Sequence, residues 1–382
     1  MSLLTILWLF SLLSGFTGGL IYPLLPLYLE LKNITVEEIG LAFAISQFTS
    51  TVTQPLWGRL SDRYNRKTLL VLLSASLAFL YILIIFASNI FHFIILGAAT
   101  FTFMMASGSV SAAFAVRLTE SGEVGRGFSR WRISWSIGWI VATLFSGLLT
   151  DTFGFPIVFV LSAVTTVFSI LLFKNVREGK RHPPRNTRSG GWFTLHKRGL
   201  LILYASILLT WVATAAIDIY LPLYLHGPPL GASNTLISIA FSFAAMAEIP
   251  GMLYFGSLSD KIGRKRILSI CFFAYPLRLL LTAMFDNPLC VLFVQLLHSL
   301  TFGGLYVVSM AYLSDTVQDE TVGAAVGFYT MAMNFGLILG SPFCGALVNH
   351  FGFEMMYKIM ALYSVIPATL FVTIGRETLR SH

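Results

Sequence analysis

The sequence predicts an all-α integral membrane protein of twelve transmembrane helices, arranged as two pseudo-symmetric six-helix bundles. Of its 382 residues, 56% are hydrophobic and only 11% are charged, whereas a typical soluble domain carries about 25% charged residues. So few charges cannot cover a water-soluble fold of this length, and lipid must be its main solvent. Two further observations support the prediction: the apolar stretches are long and continuous, and the second half of the chain repeats the first.

A helix needs about 20 residues to cross a hydrocarbon core of about 30 Å. Strands of a membrane β-barrel would give short alternating segments instead. Twelve apolar stretches of sufficient length are predicted, at 3–29, 37–57, 68–88, 90–116, 130–150, 155–174, 199–225, 233–255, 267–286, 289–313, 321–348 and 352–375. The first stretch has neither a preceding basic segment nor a small-residue cleavage site, which indicates a retained span rather than a signal peptide.

Basic residues predict the topology. The polar stretch 175–198 carries many of them, together with paired prolines and paired glycines, and is interpreted as a linker between bundles 1–174 and 199–382. Nearly all other Lys and Arg residues lie in or beside even-numbered gaps or in the C-terminal tail. The exceptions are Lys32, Arg278 and Lys358. Because basic loops stay in the cytoplasm, both termini and the linker are expected on the cytoplasmic side of the cell membrane. The net charge of +8 is then a topology signal and does not indicate nucleic-acid binding.

Short phrases recur at a nearly constant spacing in the two halves. The recurring pairs are GRLSDRYNRKTLL at 58–70 and GSLSDKIGRKRIL at 256–268, LPLYL at 25–29 and 221–225, and FGF at 153–155 and 351–353. A spacing kept over several spans indicates duplicated six-helix units. Such internal symmetry is typical of secondary transporters, in which a substrate site forms between halves that rock about it.

The charged phrase resembles the signature loop of the major facilitator superfamily, and the resemblance extends over essentially the whole chain. The family pattern is G-x-x-x-D-R/K-x-G-x-R/K-R/K. The first copy supplies Gly58, Asp62, Arg63, Arg66 and Lys67, with Asn65 in place of the second glycine. The second copy supplies Gly256, Asp260, Lys261, Gly263, Arg264 and Lys265. We interpret Asn65 as a mild departure, because asparagine tolerates a left-handed backbone better than other residues that carry a side chain.

The resemblance implies that each charged phrase is a cytoplasmic turn that takes part in conformational switching. Asp62 maps onto the aspartate that, in the family, engages the N-terminal dipole of the eleventh span when the cytoplasmic side is closed. Arg117, which ends the fourth span, and Asp315, which ends the tenth, are expected to complete charge networks beside the two loops. The alternative interpretation is that these charges serve only topology and folding.

Few ionisable residues lie well inside the predicted spans, and each needs a partner or a function because a charge in the bilayer is costly. The resemblance places Asp218 and His298 on helices that line the central cavity, and Arg278 on an outer helix. We expect Arg278 to pair with Glu248, which lies at a comparable depth. Asp218 is then the best candidate proton acceptor, with His298 as a candidate partner. The alternatives are a hydrated Asp218, a core histidine and a proton-carrying Glu248.

Two further residues share a helical face with Asp218. Trp211 and Thr214 lie seven and four residues before it, so that an aromatic ring, a hydroxyl and an acid are expected on one side. At the 196-residue spacing of the LPLYL repeat, Tyr22 occupies the matching place in the first span. These residues are candidates for binding the substrate.

The sequence favours proton-coupled export of small amphipathic or neutral organic solutes by alternating access. The cavity helices are rich in Phe, Met and Trp and poor in charge. Drug/proton antiporters of the superfamily usually carry an arginine within span four and a Gly-Pro motif in span five, and both are absent here, which weakens a multidrug interpretation. The alternative is proton-coupled uptake of a sugar or nucleoside.

A membrane-embedded enzyme or receptor is a remote alternative. The sequence contains no HExxH motif and no phosphate-binding GxxxxGK[ST] loop. The three cysteines lie within or at the ends of apolar runs and do not have the spacing of a disulfide framework or a metal site. No catalytic residue, cofactor or metal site is predicted, and the protein is expected to be a monomer.

Overall fold

The computed structural model describes residues 3–118, 124–174, 198–318 and 321–379, and the side chains of 116–118, 124–129 and 198 lie outside this description. The described part of the chain is helical and contains no strand. The helices of the first half are α1 (Leu3–Ile21), α2 (Leu25–Leu31), α3 (Val36–Arg63), α4 (Arg66–Ile85), α5 (Ile90–Leu118), α6 (Val124–Phe153) and α7 (Pro156–Leu171). Those of the second half are α8 (Arg198–Asp218), α9 (Tyr220–His226), α10 (Asn234–Ile262), α11 (Arg264–Met284), α12 (Pro288–Val294), α13 (Leu305–Thr316) and α14 (Val322–Ile374).

All twelve predicted spans correspond to these helices, which confirms the predicted fold class. The first span is α1 with α2, the seventh is α8 with α9, and the tenth is α12 with α13. The eleventh and twelfth spans are both contained in α14, which is interrupted by Gly352 with a φ of 79°. Gly154, its partner in the repeated FGF phrase, has a φ of 78°, so the duplication is visible in the backbone as well as in the sequence.

Nine helical stretches of the described chain are long and apolar enough to cross a membrane. This number is three fewer than the twelve predicted spans, and each difference has an identifiable reason. Helix α7 is shorter, α14 contains two spans, and α3 is rich in Ser, Thr and Gln. In α3 the hydroxyls of Ser46, Thr49 and Thr53 each donate to a carbonyl one turn earlier at 2.8 Å. These polar groups are satisfied inside the helix and can remain in an apolar environment.

The chain divides into two compact units. The amino-terminal unit comprises Met1–Pro184 with Ala232–Ser242, and the carboxy-terminal unit comprises Arg185–Gly231 with Phe243–His382. They differ from the predicted bundles in one respect, because the beginning of α10 belongs to the amino-terminal unit. The predicted linker at 175–198 lies outside the described residues apart from the backbone of its last residue, and its cytoplasmic location stays a prediction.

Each unit has its own apolar core. The amino-terminal core includes Leu7, Phe10, Leu70, Val110 and Phe114. The carboxy-terminal core includes Leu203, Leu268, Phe272, Tyr312 and Phe371. Helix α1 packs closely on α6, where Gly138 lies against the Leu12 carbonyl, and α8 packs closely on α14, where Gly336 lies against the Leu208 carbonyl. Small residues permit such close approach between membrane helices, and these two glycines are 198 residues apart, as the repeat requires.

Candidate functional site

The first helix of each repeat is interrupted at the same place. Helix α1 ends at Ile21 and α2 begins at Leu25, while α8 ends at Asp218 and α9 begins at Tyr220. The repeated LPLYL phrase supplies a reason, since it places Pro26 four residues after Tyr22 and Pro222 four residues after Asp218. Proline has no N–H, so the helical hydrogen bond from these positions back to the carbonyls of Tyr22 and Asp218 cannot form. Broken helices at corresponding positions of two repeats are typical of transporter binding sites.

Asp218 therefore lies at a helix break inside the carboxy-terminal unit. Its side chain is half-buried. Within the described residues its carboxylate makes no hydrogen bond, but it interacts electrostatically with Arg278 on α11. A carboxylate without hydrogen bonds to its described neighbours keeps its oxygens available for a proton or a solute.

Arg278 is only 3% exposed, and its guanidinium makes three hydrogen bonds to neighbouring side chains. Its Nη1 donates to Thr301 Oγ1 at 2.8 Å and to His298 Nδ1 at 3.1 Å. Its Nη2 donates to Gln295 Oε1 at 2.7 Å. Its Nε has no hydrogen-bond partner among the described residues. Because a guanidinium can only donate, His298 Nδ1 must accept, and the neutral imidazole then carries its proton on Nε2.

The backbone between α12 and α13 explains how three side chains reach one guanidinium. Residues Gln295–Leu297 form a 3₁₀ turn and Ser299–Gly304 form a π-helical turn. Gln295, His298 and Thr301 are spaced three apart. The 3₁₀ turn keeps Gln295 and His298 on one side, since residues i and i+3 align in that geometry, and Thr301 follows inside the π-helical turn. In a regular α-helix the third of them would be turned about 120° from the first. Short 3₁₀ and π segments inside a span are frequent at functional sites.

The predicted ion pair between Glu248 and Arg278 is wrong. Glu248 Oε2 lies 3.9 Å from His298 Nε2, and none of the hydrogen bonds of Arg278 goes to Glu248. Helix α10 packs directly on the π-helical turn, where a Cβ on Gly303 would lie 2.9 Å from the Glu248 carbonyl. The imidazole of His298 lies between the acid and the guanidinium, because Nε2 is near Glu248 and Nδ1 accepts from Arg278. The acid that interacts electrostatically with Arg278 is Asp218. His298 contacts Arg278 and Glu248 rather than Asp218.

Trp211 and Thr214 lie in the packed interior of the carboxy-terminal unit. Trp211 is 2% exposed and its ring centroid lies 6.4 Å from that of Tyr275 and 6.3 Å from that of Phe302. Thr214 Oγ1 is within 3.3 Å of the Tyr275 hydroxyl. Both side chains therefore join α8 to its neighbours. Tyr22, their counterpart in the other unit, is half-buried and meets three other aromatic rings.

The first charged loop differs from expectation at Asn65. Its φ is −63°, so the backbone is not left-handed, and its side chain accepts a hydrogen bond from Thr68 N at 2.9 Å as the N-cap of α4. Asparagine is present here because it caps the following helix. Asp62 Oδ1 lies 3.2 Å from Arg66 Nη2, whereas Arg63 is exposed.

The second charged loop is capped in a different way. Gly263 has a φ of 107° and no side chain to cap α11. Glu377, from the C-terminal tail, takes over this function by accepting from Arg264 N at 2.8 Å and Lys265 N at 3.1 Å. The Arg264 side chain pairs with Asp260 and with Asp315, whose Oδ2 lies 3.0 Å from Nε. The side chain of Arg117, the expected counterpart beside the first loop, lies outside the described residues.

A polar seam that the sequence analysis missed joins α6 to the beginning of α10 inside the amino-terminal unit. Asp151 accepts from Thr235 N at 2.9 Å and from Asn234 Nδ2 at 2.8 Å. Further along, Ser242 Oγ donates to Thr143 Oγ1 at 2.7 Å. The sequence signal was an acid at the end of one span and an Asn-Thr pair at the start of another, which together form a helix cap.

Two repeats of six apolar helices, with broken first helices and a small group of buried ionisable residues, define a secondary membrane transporter. The chain matches the model of the MFS_1 like family over residues 4–359 and belongs to that family. The resemblance to the major facilitator superfamily is thereby confirmed.

The chain is similar to curated relatives over nearly its whole length. It is 28% identical to the multidrug resistance protein MdtG of Erwinia billingiae (strain Eb661), over 99% of this chain and 95% of that protein. It is 27% identical to the multidrug resistance protein MdtG of Salmonella schwarzengrund (strain CVM19633), over 94% of this chain and 91% of that protein.

Solved structures show the same fold. The nucleoside transporter NupG superposes with a TM-score of 0.82 at 18% identity, over 98% of this chain and 99% of that chain. A bacterial homologue of the human lysosomal transporter Spinster, in an inward-facing and unoccupied conformation, superposes with a TM-score of 0.81 at 13% identity, over 97% and 95%.

Proposed function

We propose that the protein is a proton-coupled exporter of small amphipathic or neutral organic solutes that works by alternating access. The named relatives are multidrug resistance proteins, which supports an export function for an organic solute. The observation that carries the proton coupling is the position of Asp218, a half-buried acid at a helix break that interacts electrostatically with the buried Arg278. Both termini and the linker face the cytoplasm in this proposal.

Arg278 gives the protonation of Asp218 a conformational consequence. While Asp218 is ionised, its negative charge offsets that of the buried guanidinium. A proton on Asp218 removes this compensation and leaves the buried guanidinium in a less favourable environment. Conformations that expose Arg278 to water or to another anion then become more favourable. A proton that binds two conformations with different affinity shifts the equilibrium between them, which is the requirement for coupling.

Glu248 is the second acid of the site and the alternative proton acceptor. The neutral His298 directs its Nε2 toward Glu248 at 3.9 Å, and its Nδ1 is already occupied by Arg278. A proton arriving at Glu248 would therefore act on Arg278 through the imidazole. The electrostatic interaction with Arg278 favours Asp218 as the proton acceptor.

Uptake of a sugar or nucleoside remains the alternative function. Its support is the fold shared with the nucleoside transporter NupG. At 18% identity this similarity concerns the fold, and one fold hosts many functions. Export is therefore the better-supported direction.

The test is transport by the purified protein in proteoliposomes, with a panel of organic solutes and an imposed pH gradient. The wild-type protein is expected to concentrate at least one amphipathic solute when the gradient is present. Asp218→Asn is expected to abolish this accumulation and to retain exchange of labelled for unlabelled solute, because exchange needs no net proton movement. Glu248→Gln, which changes an acid in the same way, is expected to retain gradient-driven accumulation. If Asp218→Asn still concentrates the solute when the pH gradient is imposed, the coupling proton binds at another residue.

A further inference from the structure

Five aromatic side chains from four segments meet in the amino-terminal unit, at the break between α1 and α2. We call Tyr22, Phe43, Phe101, Trp135 and Trp139 the Tyr22 cluster. The centroid of the Tyr22 ring lies 6.2 Å from that of Phe43 on α3, 6.5 Å from that of Phe101 on α5 and 5.8 Å from that of Trp139 on α6. A side chain that meets rings from three other helices points into the unit rather than toward lipid.

The rings of the Tyr22 cluster keep part of their surface exposed. A second aromatic group on the same span is buried, so partial exposure is not a general property of aromatic groups in this fold. All five members of the Tyr22 cluster are half-buried. Tyr28, on α2, has its ring centroid 4.9 Å from that of Phe159, and these side chains are only 2% and 1% exposed. The Tyr28 hydroxyl is also used, since it contacts the Ile85 carbonyl at 3.2 Å. The Tyr28 group is therefore closed core, whereas the Tyr22 cluster has ring surface left over.

The open rings are held in place by close helix packing. A Cβ on Gly18 would lie 3.2 Å from the Trp139 ring, and one on Gly19 would lie 2.6 Å from the Trp139 carbonyl. Gly15 lies in the same way against the carbonyl of Trp135. With α1 this close, the two indoles cannot move toward it. A site whose side chains are fixed before binding loses less entropy when a ligand arrives.

The arrangement along α6 suits flat groups without positive charge. The rings of Trp135 and Trp139 are stacked, with centroids 5.1 Å apart and planes inclined by 25°. The planar guanidinium of Arg132 already lies on the Trp135 ring, 4.7 Å from its centroid. Planar groups thus stack on the rings of Trp135 and Trp139, and the positive charge of Arg132 repels a second cation. None of the five members is an acid that could compensate one.

We propose that the Tyr22 cluster binds the planar aromatic part of a neutral organic solute, by stacking on Tyr22 and Trp139. This inference rests on the proposed export function and names a substrate class for it. It also assigns different tasks to the two helix breaks. The break in the amino-terminal unit carries an aromatic ring for the solute, and the break in the carboxy-terminal unit carries the acid for the proton.

The test is equilibrium dialysis of tritiated probes against the full-length protein in lipid nanodiscs, with empty nanodiscs as the partition control. The probes are 7-methoxycoumarin, which is planar and neutral, proflavine, which is a planar cation, and camphor, which is neutral and not planar. The wild-type protein is expected to bind 7-methoxycoumarin more tightly than the other two. Loss of one aromatic partner is expected to weaken this binding by about tenfold, the factor that corresponds to the upper range for an aromatic pair.

The variants are chosen to separate stacking from folding. Tyr22→Leu and Trp139→Leu are expected to weaken 7-methoxycoumarin binding, and Tyr22→Phe and Trp139→Phe to retain most of it because a ring remains. Phe145→Leu removes a ring from the same helix, where it is 53% exposed, and is expected to bind like the wild type. Tyr22→Leu and Trp139→Leu are independent tests, so either one decides the question if the other fails to fold. Unchanged affinity in both Leu variants, or an equal loss of camphor binding, would overturn the inference.

Failure of this inference differs from failure of the proposed function. If the wild-type protein exports other solutes along a proton gradient but does not bind 7-methoxycoumarin, the Tyr22 cluster is not the solute site and export stands. If no solute of the panel is transported, the export function itself is wrong.

Discussion

At the scale of single residues, the surroundings of Arg278 show what a sequence can and cannot reveal. Ionisable residues in a span stand out against an apolar background, so Asp218, Glu248, Arg278 and His298 were all identified. Their partners were not, because partners depend on helix rotation. Gln295 and Thr301 were missed for this reason: each is three residues from His298, and all three side chains meet one guanidinium across an irregular 3₁₀ and π segment.

The hydrogen bond between Arg278 and Thr301 is expected to contribute measurably to stability. Thr301→Val preserves the shape of a side chain that has no exposed surface and removes the oxygen that accepts from Nη1 at 2.8 Å. Losing a hydrogen bond to a charged group is expected to lower the free energy of unfolding by about 1.5–3 kcal/mol. The measurement is unfolding of the purified protein in detergent, followed by the loss of helical circular dichroism.

Thr282→Val is the matched control for this prediction. Thr282 is equally buried and lies on α11, but its hydroxyl donates at 2.9 Å to the backbone carbonyl of Arg278, which belongs to the regular helical pattern. Its loss is expected to cost about 0.5–1.5 kcal/mol, the net value of an ordinary hydrogen bond. Equal destabilisation by the two substitutions would show that the guanidinium does not depend on Thr301.

At the scale of secondary-structure elements, the continuous apolar runs predicted all twelve spans, but they did not predict where helices break or how they are capped. The breaks after Ile21 and after Asp218 had a signal in the sequence, since each repeat carries a proline four residues beyond Tyr22 or Asp218. The caps had a weaker signal. Asn65 and Gly263 occupy equivalent positions of the repeat, yet one caps its helix with its own side chain and the other leaves that task to Glu377.

Exchange of the two capping residues is therefore expected to be asymmetric. Asn65→Gly keeps a residue that is tolerated at an N-cap and is expected to cost a few tenths of a kcal/mol, whereas Asn65→Ala is expected to cost about 1 kcal/mol. Gly263→Asn is expected to cost more than either, about 1–3 kcal/mol for backbone strain alone, because its φ is 107°. A Cβ there would also lie 2.9 Å from Glu377 Cδ. Unfolding in detergent measures all three.

Two outcomes would contradict this account of the loops. Tolerance of Gly263→Asn would mean that the tail carrying Glu377 is not needed at α11. A cost for Asn65→Gly as large as that for Asn65→Ala would mean that the backbone conformation, rather than the cap, selects asparagine. Asn65→Asp provides the internal reference, since an aspartate caps as well as an asparagine.

At the scale of the whole molecule, the duplication conserves backbone geometry and changes chemistry. The glycines of the FGF phrase keep the same left-handed conformation in both repeats, and both first helices break at the same register. The residues at the breaks differ, with an aromatic ring in one unit and an acid in the other. The repeat was readable from short phrases at constant spacing. The division into units was not fully readable, because a polar seam attaches the beginning of α10 to α6, and the acid and the Asn-Thr pair that form it lie more than 80 residues apart in the sequence.

The distribution of basic residues leads to the last prediction, that odd-numbered loops face outward and even-numbered loops face the cytoplasm. Single cysteines at Glu37 and Asp286 test the outer side, and single cysteines at Arg63 and Ser189 test the inner side. Glu37, Asp286 and Arg63 are exposed, and replacing them disturbs neither the N-cap formed by Asn287 nor the left-handed backbone of Asn33. Cys271 and Cys344 are buried, so only the half-buried Cys290 has to be replaced by serine in the background.

In intact cells, a membrane-impermeant maleimide is expected to label the cysteines at 37 and 286, and to label those at 63 and 189 only after the membrane is made permeable. The reason is that Lys and Arg in short loops are retained on the cytoplasmic side during insertion. The cysteine at 189 has a particular value, because it reports on the linker while the cysteine at 63 reports on the first charged loop. Labelling of 63 and 286 from the same side would require an even number of crossings between them, whereas the seven spans that the twelve-span arrangement places between them put them on opposite sides. That result would overturn the predicted topology, and with it the cytoplasmic placement of both charged loops.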